Sequence, residues 1–193
     1  MAGQRFELLG GALCLDFANT VHQYGAPDPQ DDLRNFEDLR AWGVQTGSWA
    51  ARGGVRGSAA DLRRAKQARD LIYRVLSKLA AGKDPAAADL DKLNHHLADA
   101  LSRRKLVWSN EGAGWIWTAA NHPADSLLWR VFDSCAGLLT SPDWRRIREC
   151  SSDTCTWLFL DQSKNGTRRW CDMKRCGNRE KSRRHYARIR RES

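Results

Sequence analysis

Four cysteines close to the C-terminus constrain this chain more than any other feature. They fall as Cys150-x4-Cys155, fifteen intervening residues, then Cys171-x4-Cys176. Two close pairs joined by a short loop are what one tetrahedral ion needs, because each pair supplies two thiolates from a local turn and the loop brings the pairs together. The pattern predicts one structural Zn2+ held by Cys150, Cys155, Cys171 and Cys176. No fifth His or carboxylate stands at ligand spacing to suggest an open catalytic position. Two alternatives are weaker. A pair of disulfides needs an oxidising compartment, and an iron–sulfur cluster more often shows its ligands in a tighter run. The spacer of four exceeds the commonest two-residue knuckle, which lowers the specificity of the signal.

The residues around the pairs fit that geometry. "TWLFLD" (156–161) is a β-prone run, "QSKNG" carries Asn-Gly turn chemistry, and "TRRWC" (167–171) returns to the metal. A helix follows, with Asn178 placed to cap it. Ser182, His185, Tyr186 and Ile189 share one face of that helix and are expected to pack on the hairpin formed by 156–171, while the rest of its surface is cationic. Like charges one turn apart, such as Arg184 and Arg188, oppose helix formation. A zinc site worth on the order of 10 kcal/mol can hold such a helix regardless.

Charge is unevenly spread. The net +9 resides entirely in 145–193, which has 15 Lys+Arg against 6 Asp+Glu, while 1–144 has 17 of each. The reading is therefore a neutral body, residues 1–144, and a cationic tail module, residues 145–193. Such asymmetry points to a polyanion, most often nucleic acid. The contact set it predicts is Arg168, Arg169, Lys174 and Arg175 beside the metal. On the helix it continues with Arg179, Lys181, Arg183, Arg184, Arg188, Arg190 and Arg191.

The body reads as mainly helical. "FELLGGALCLDFANTV" (6–21) suggests a short strand, a Gly-Gly turn and then a helix or second strand; residues 22–32 form a polar loop. Leu33, Phe36, Leu39 and Trp42 trace a short amphipathic helix. Ser58 with Asp61 forms a capping box for a long helix whose stripe is Leu62, Ala65, Ile72, Leu76 and Leu79. Asp84-Pro85 restarts a helix with Leu90, Leu93, Leu97 and Leu101 buried. "KLVWSNEGAGWIWT" (105–118) is a hairpin, and His122-Pro123 opens a last helix through Leu139. These stripes need only each other and the hairpin, so body and tail are expected to have separate cores.

Other candidates are less specific. His22, His95, His96, His122 and His185 are scattered without ligand partners. Asp16 and Asn19 read as a capping or turn pair, and Cys14 and Cys135 as small buried hydrophobes. Trp108, Trp115, Trp117 and Trp129 read first as core, and otherwise as an aromatic ligand site. No phosphate-binding loop, nucleophile elbow or dinucleotide fingerprint occurs, and 1–144 holds no clustered acid–base set, so the chain is not expected to be an enzyme. No run of 18 apolar residues and no basic-then-apolar leader is seen, which predicts a cytoplasmic protein with no membrane partner.

The string C-x4-C-x-WLFLD-x-S-x-N-x-x-RRWC-x-M-x-x-CGNR-x-K resembles the CGNR zinc finger, whose four letters stand here at 176–179. The N-terminal "LCLDFANT" (13–20) with "L-x-x-W" at 39–42 is similar to the ABATE domain that usually precedes that finger. The resemblance implies the fold class: mainly α with small β elements, a helical N-terminal domain with one or two β-hairpins, then a small treble-clef-like zinc finger. It also implies the four zinc ligands and a bacterial, stress-induced transcription regulator that binds double-stranded DNA through the finger. The N-terminal domain would then sense a small molecule or dimerise. The alternative is a small-molecule binder or enzyme whose basic zinc module contacts RNA or a protein partner.

Overall fold

Ser58 and Asp61 together start the longest helix. The Asp61 N–H donates to Ser58 Oγ at 3.2 Å and the Ser58 N–H donates to the Asp61 carboxylate at 2.8 Å, the reciprocal box that the sequence predicts. The computed structural model describes residues 5–49, 57–118, 122 and 124–192. In chain order its elements are α1 (Leu13–Ala18), β1 (Val21–His22), β2 (Gln30–Asp31), α2 (Phe36–Gln45), α3 (Ala59–Ala80) and α4 (Ala87–Ser102). The hairpin β3 (Arg104–Ser109) and β4 (Gly112–Trp117) follows, then α5 (Asp125–Thr140) and a 3-10 turn (Pro142–Arg146). The chain ends in β5 (Ile147–Glu149), β6 (Leu158–Leu160), a single π turn (Met173–Gly177) and α6 (Asn178–Glu192). The fold is mainly α, with three antiparallel strand pairs among the described residues.

The core forms where α1 packs on α3 and α5, and α4 packs across both. Its largest fully buried side chains include Phe17, Leu39, Trp42, Ile72, Leu76, Leu127 and Phe132. Cys14 and Cys135 are buried in it, as predicted. The apolar run at 13–18 is a helix rather than a strand, and residues 6–9 form no strand. A second capping box starts α2, with Asn35 Oδ1 accepting from the Asp38 N–H at 2.9 Å. Arg69, although on α3 and buried, is satisfied by both Asp31 oxygens at 2.8 and 3.0 Å, which ties the 22–32 loop to that helix.

Several expectations need correction. Helix α4 begins at Ala87 behind Ala86, with no side-chain cap, so Asp84-Pro85 lies in the preceding turn. Its buried residues are Leu93 and Ala100, with Leu97 half covered; Leu90 and Leu101 are exposed because α4 lies at the rim, touching its neighbours along one narrow seam. The β3–β4 hairpin exists, but it projects from the body: Leu106, Trp108, Trp115 and Ile116 are 61, 84, 59 and 47% exposed. Only Trp129 of the four tryptophans is buried. Helix α5 starts at Asp125; Pro123, which the sequence places at its start, lies outside the described residues.

The tail has its own apolar cluster around the cysteines, but part of the tail belongs to the core of the body. Strand β6 pairs with β5, not with 167–171, in the register Ile147↔Leu160 and Glu149↔Leu158. Side chains along a strand alternate between faces. Accordingly Leu158 and Leu160, with Ile147, join the core of the helical body, while Phe159 joins a second cluster around the cysteines. Body and tail therefore share one strand. The outer edge of β6 is covered by the N-terminal segment: Asn19 Nδ2 donates to the Leu158 carbonyl and Asn19 Oδ1 accepts from its N–H, both at 2.8 Å. The Leu160 N–H donates to the Gly10 carbonyl at 2.8 Å. Gly10 has no room for a side chain, since a Cβ would stand 2.7 Å from that of Leu15, and Gly11 adopts φ +82°.

Candidate metal centre and basic helix

The four cysteines come together from three local structures. Strand β5 delivers Cys150, whose N–H donates to the Trp157 carbonyl at 2.9 Å. The knuckle turns back through Cys155, whose N–H donates to the Ser152 carbonyl at 2.9 Å. Cys171 arrives from a loop organised by the fully buried Asp161, whose carboxylate accepts from the Ser163 N–H and hydroxyl and from the Arg168 N–H. Burial alone would raise the Asp161 pKa; these donors outweigh it and hold it below the usual carboxylate range. Cys176 sits in the π turn, capped by Asp172, which accepts from the Arg175 N–H at 3.0 Å.

All four sulfurs lie within 4.8 Å of one another, with Cys155–Cys171 at 3.8 Å and Cys171–Cys176 at 3.7 Å. A tetrahedral zinc with Zn–S bonds of about 2.3 Å requires sulfurs about 3.8 Å apart, so the donor set fits the ion. Hydrogen bonding from Cys155 and then Cys171 holds Cys150 down to about 2, while hydrogen bonding to Cys150 pushes Cys155 up to about 12 and Cys171 higher still. Four thiolates this close are stable together only around a cation. One structural zinc held by Cys150, Cys155, Cys171 and Cys176 follows, and it supplies the cross-link that fixes the knuckle to the helix.

The letters at 176–179 each have a local reason. Gly177 leaves the space that the Met173 side chain fills, since a Cβ there would stand 2.5 Å from Met173 Sδ and displace it. Asn178 is not a cap but the first residue of α6, since the π turn runs directly into that helix. Arg179 donates to Thr154 Oγ1 at 2.6 Å, across to the knuckle. Glu180, one residue further on and buried, accepts from Ser152 Oγ at 3.1 Å. Sequence reasoning passed over Glu180, Ser152 and Asp161; a carboxylate amid so many arginines was the available signal.

The predicted basic contacts separate into two groups. Arg168 donates to the carbonyls of Trp170 and Cys171 and lies over the Phe159 ring, so it braces the metal loop. Arg169 stacks on Trp170, Arg175 pairs with Glu7, and Arg183 pairs with Glu180 and Asp153. By contrast Lys174, Lys181, Arg184 and Arg190 have no partner among the described residues. Lys181, Arg184 and Arg188 recur on one side of α6 at helical spacing. The Ser182, His185, Tyr186 and Ile189 stripe does not pack on residues 156–171: every side chain from 181 to 190 is exposed. Both faces of β6 are already occupied, one by the body and one by the metal cluster.

Of the four tryptophans, Trp129 and Trp117 border cavities, whereas Trp108 and Trp115 line none of these. One of about 360 Å³ sits between α3, α4 and α5, edged by Arg64, Arg74, Lys92 and His96 and floored by Trp129 and Phe132. A second, of about 400 Å³, adjoins the cysteines and is bordered by His22, Trp157, Arg175 and Arg179. Trp117 borders only a smaller depression, of about 260 Å³. Among the described residues no helix is long and apolar enough to cross a membrane.

Comparison with known families gives two matches in order along the chain. Residues 11–142 match the ABATE family, described as "Putative stress-induced transcription regulator", and residues 146–189 match the CGNR zinc finger. No curated protein matches the chain.

Proposed function

Because this chain belongs to the ABATE family and carries a CGNR zinc finger behind its ABATE domain, we propose that it is a DNA-binding transcription regulator that binds rather than catalyses. One observation carries the reading: α6 is held by the metal site at its start and buries no side chain from 181 to 190, yet it presents a cationic stripe. A helix whose side chains from 181 to 190 all stay exposed, although like charges recur one turn apart along it, is best explained by a bound polyanion. Lys181, Arg184 and Arg188 are the contact stripe, which the sequence continues with Arg191, while Arg168, Arg179 and Arg183 hold the finger together. An exposed helix of this width suits the major groove of duplex DNA, with arginines able to read guanine edges. The 360 Å³ cavity between α3, α4 and α5 is large enough for a small signal molecule with both polar and aromatic parts.

Binding of zinc-loaded protein to duplex DNA across a salt series tests this. Four phosphate contacts give a log–log slope of about −3.5. Arg184→Ala should reduce that slope by about one, whereas Arg183→Ala should lower the melting temperature and leave the slope nearly unchanged. A zinc-loaded protein that binds no duplex DNA at low salt overturns the reading, and preference for RNA would move it to the alternative class.

A further inference from the structure

The β3–β4 hairpin leaves its large apolar side chains in solvent. Residues paired directly across an antiparallel ladder share a face. The register Leu106↔Trp115 and Trp108↔Ala113 therefore puts Leu106, Trp108 and Trp115 together on one face. They are 61, 84 and 59% exposed. The arm is not loosely attached. Trp117, at its base, stacks on the buried Trp129 with ring centres 6.1 Å apart, and Arg104 pairs with Asp133 at 2.7 Å. The direction of the aromatic face is thus set by α5.

From this we propose that the Leu106/Trp108/Trp115 face is where a second copy of this chain docks, across a two-fold axis. Charge argues for a copy over a nucleic acid. The body to which the arm belongs has no net charge, Arg104 on this face is already neutralised by Asp133 and laid over the Trp115 and Trp117 rings, and Arg130 lies at the base of the arm, over Trp117. An uncharged face meets its own image without like-charge repulsion, as an isologous contact requires. Area argues the same way. At about 250 Å² for a whole indole side chain, Trp108 and Trp115 alone expose roughly 350 Å². That already reaches the largest patch usual on a monomer, a few hundred Å², and is nearly half of the roughly 800 Å² per partner that a stable interface needs. Leu106 and the unpaired outer edges of β3 and β4 extend it. A two-stranded hairpin is marginal alone, and a second copy supplies the covering layer it lacks here.

The proposal gives the regulator read above its dimer, but it is tested without nucleic acid, so either can fail alone. Sedimentation velocity of the full zinc-loaded chain across the micromolar range should show a monomer–dimer equilibrium. Trp108→Lys and Leu106→Lys, both at exposed positions, should each weaken the dimer by at least about 100-fold, since an isologous contact loses the residue twice. Their helical circular dichroism should match that of the unaltered chain; if one variant misfolds, Trp115→Ser takes its place. A chain that is monomeric throughout, or a dimer whose dissociation constant these substitutions leave unchanged, overturns the proposal.

Discussion

Two strand pairs in this molecule invert the usual relation between apolar content and burial. β3–β4 is six residues on each side and carries three tryptophans, yet Trp108 is 84% exposed. β5–β6 is three residues on each side and includes Arg148 and Glu149, yet every residue of β6 is buried. What differs is the company on each face. β6 has the helical body on one side, the cysteine cluster on the other, and Asn19 and Gly10 along its edge. Among the described residues the hairpin touches the rest of the chain near its base, through Trp117 and Arg104. Burial is a property of what a strand meets, so the short joint governs stability while the long arm is free for a partner.

The strongest way to break the joint is to remove the metal. Chelation, or Cys171→Ser, withdraws binding free energy on the order of 10 kcal/mol from the tail. Were the two regions independent, the body would keep its own transition. The shared strand predicts otherwise: losing Ile147, Leu158 and Leu160 strips three buried aliphatics from the body core, each worth about 1.5–3 kcal/mol. The helical signal near 222 nm, a region dominated by 1–144, should melt at a markedly lower temperature after chelation. An unchanged body transition would show that β6 is dispensable to it.

Asn19→Ala probes the same joint more gently. It leaves both the N–H and the carbonyl of Leu158 buried without their side-chain partner, at a cost of about 3 kcal/mol. Chemical denaturation should show the midpoint falling with the slope preserved. For comparison, Trp108→Lys on the hairpin should leave the monomer within about 0.5 kcal/mol of the original, because nothing covers that side chain. A hairpin substitution that destabilised as much as Asn19→Ala would undo the contrast.

Which parts of this were legible in the sequence follows from how local each signal is. Cys150, Cys155, Cys171 and Cys176 carry their chemistry in their spacing, and Ser58/Asp61 caps its helix through neighbours three residues apart; the structure brings both together as read. Leu90 and Leu101 sit at helical spacing too, but only the position of α4 at the rim decides that they are exposed. Asn19 looked like a turn residue because its partner, Leu158, lies 139 positions away. The same distance concealed the shared core. Periodicity shows that a face is apolar and leaves open what meets it, which is why the packing of Ile189 and the burial of Trp115 were read wrongly. Arg183 and Arg184 are equivalent in composition, and only the placement of Asp153 and Glu180 separates a brace from a contact.

A smaller effect on the joint than that of Asn19→Ala lies at the far end of the same N-terminal segment. Asp16 accepts from the Gly10 N–H at 2.7 Å, fixing the glycine turn whose carbonyl receives Leu160. Burial raises its pKa to about 6, against the pull of that single backbone donor. A carboxyl whose folded pKa lies above its unfolded value contributes stability that is complete below about pH 4 and is lost as pH rises through about 6. At pH 7.5 the folded chain therefore carries a partly desolvated carboxylate, at a cost of about 2 kcal/mol after allowing for its remaining solvent contact. Asp16→Asn keeps an oxygen for the Gly10 N–H but cannot ionise. The variant should be more stable than the original chain by about that amount at pH 7.5, with the difference shrinking through pH 6 and vanishing near pH 4. Melting temperatures of the pair across this range give the answer directly. A difference that did not change with pH would mean that the carboxyl at 16 is already solvated and that its hydrogen bond alone positions the turn.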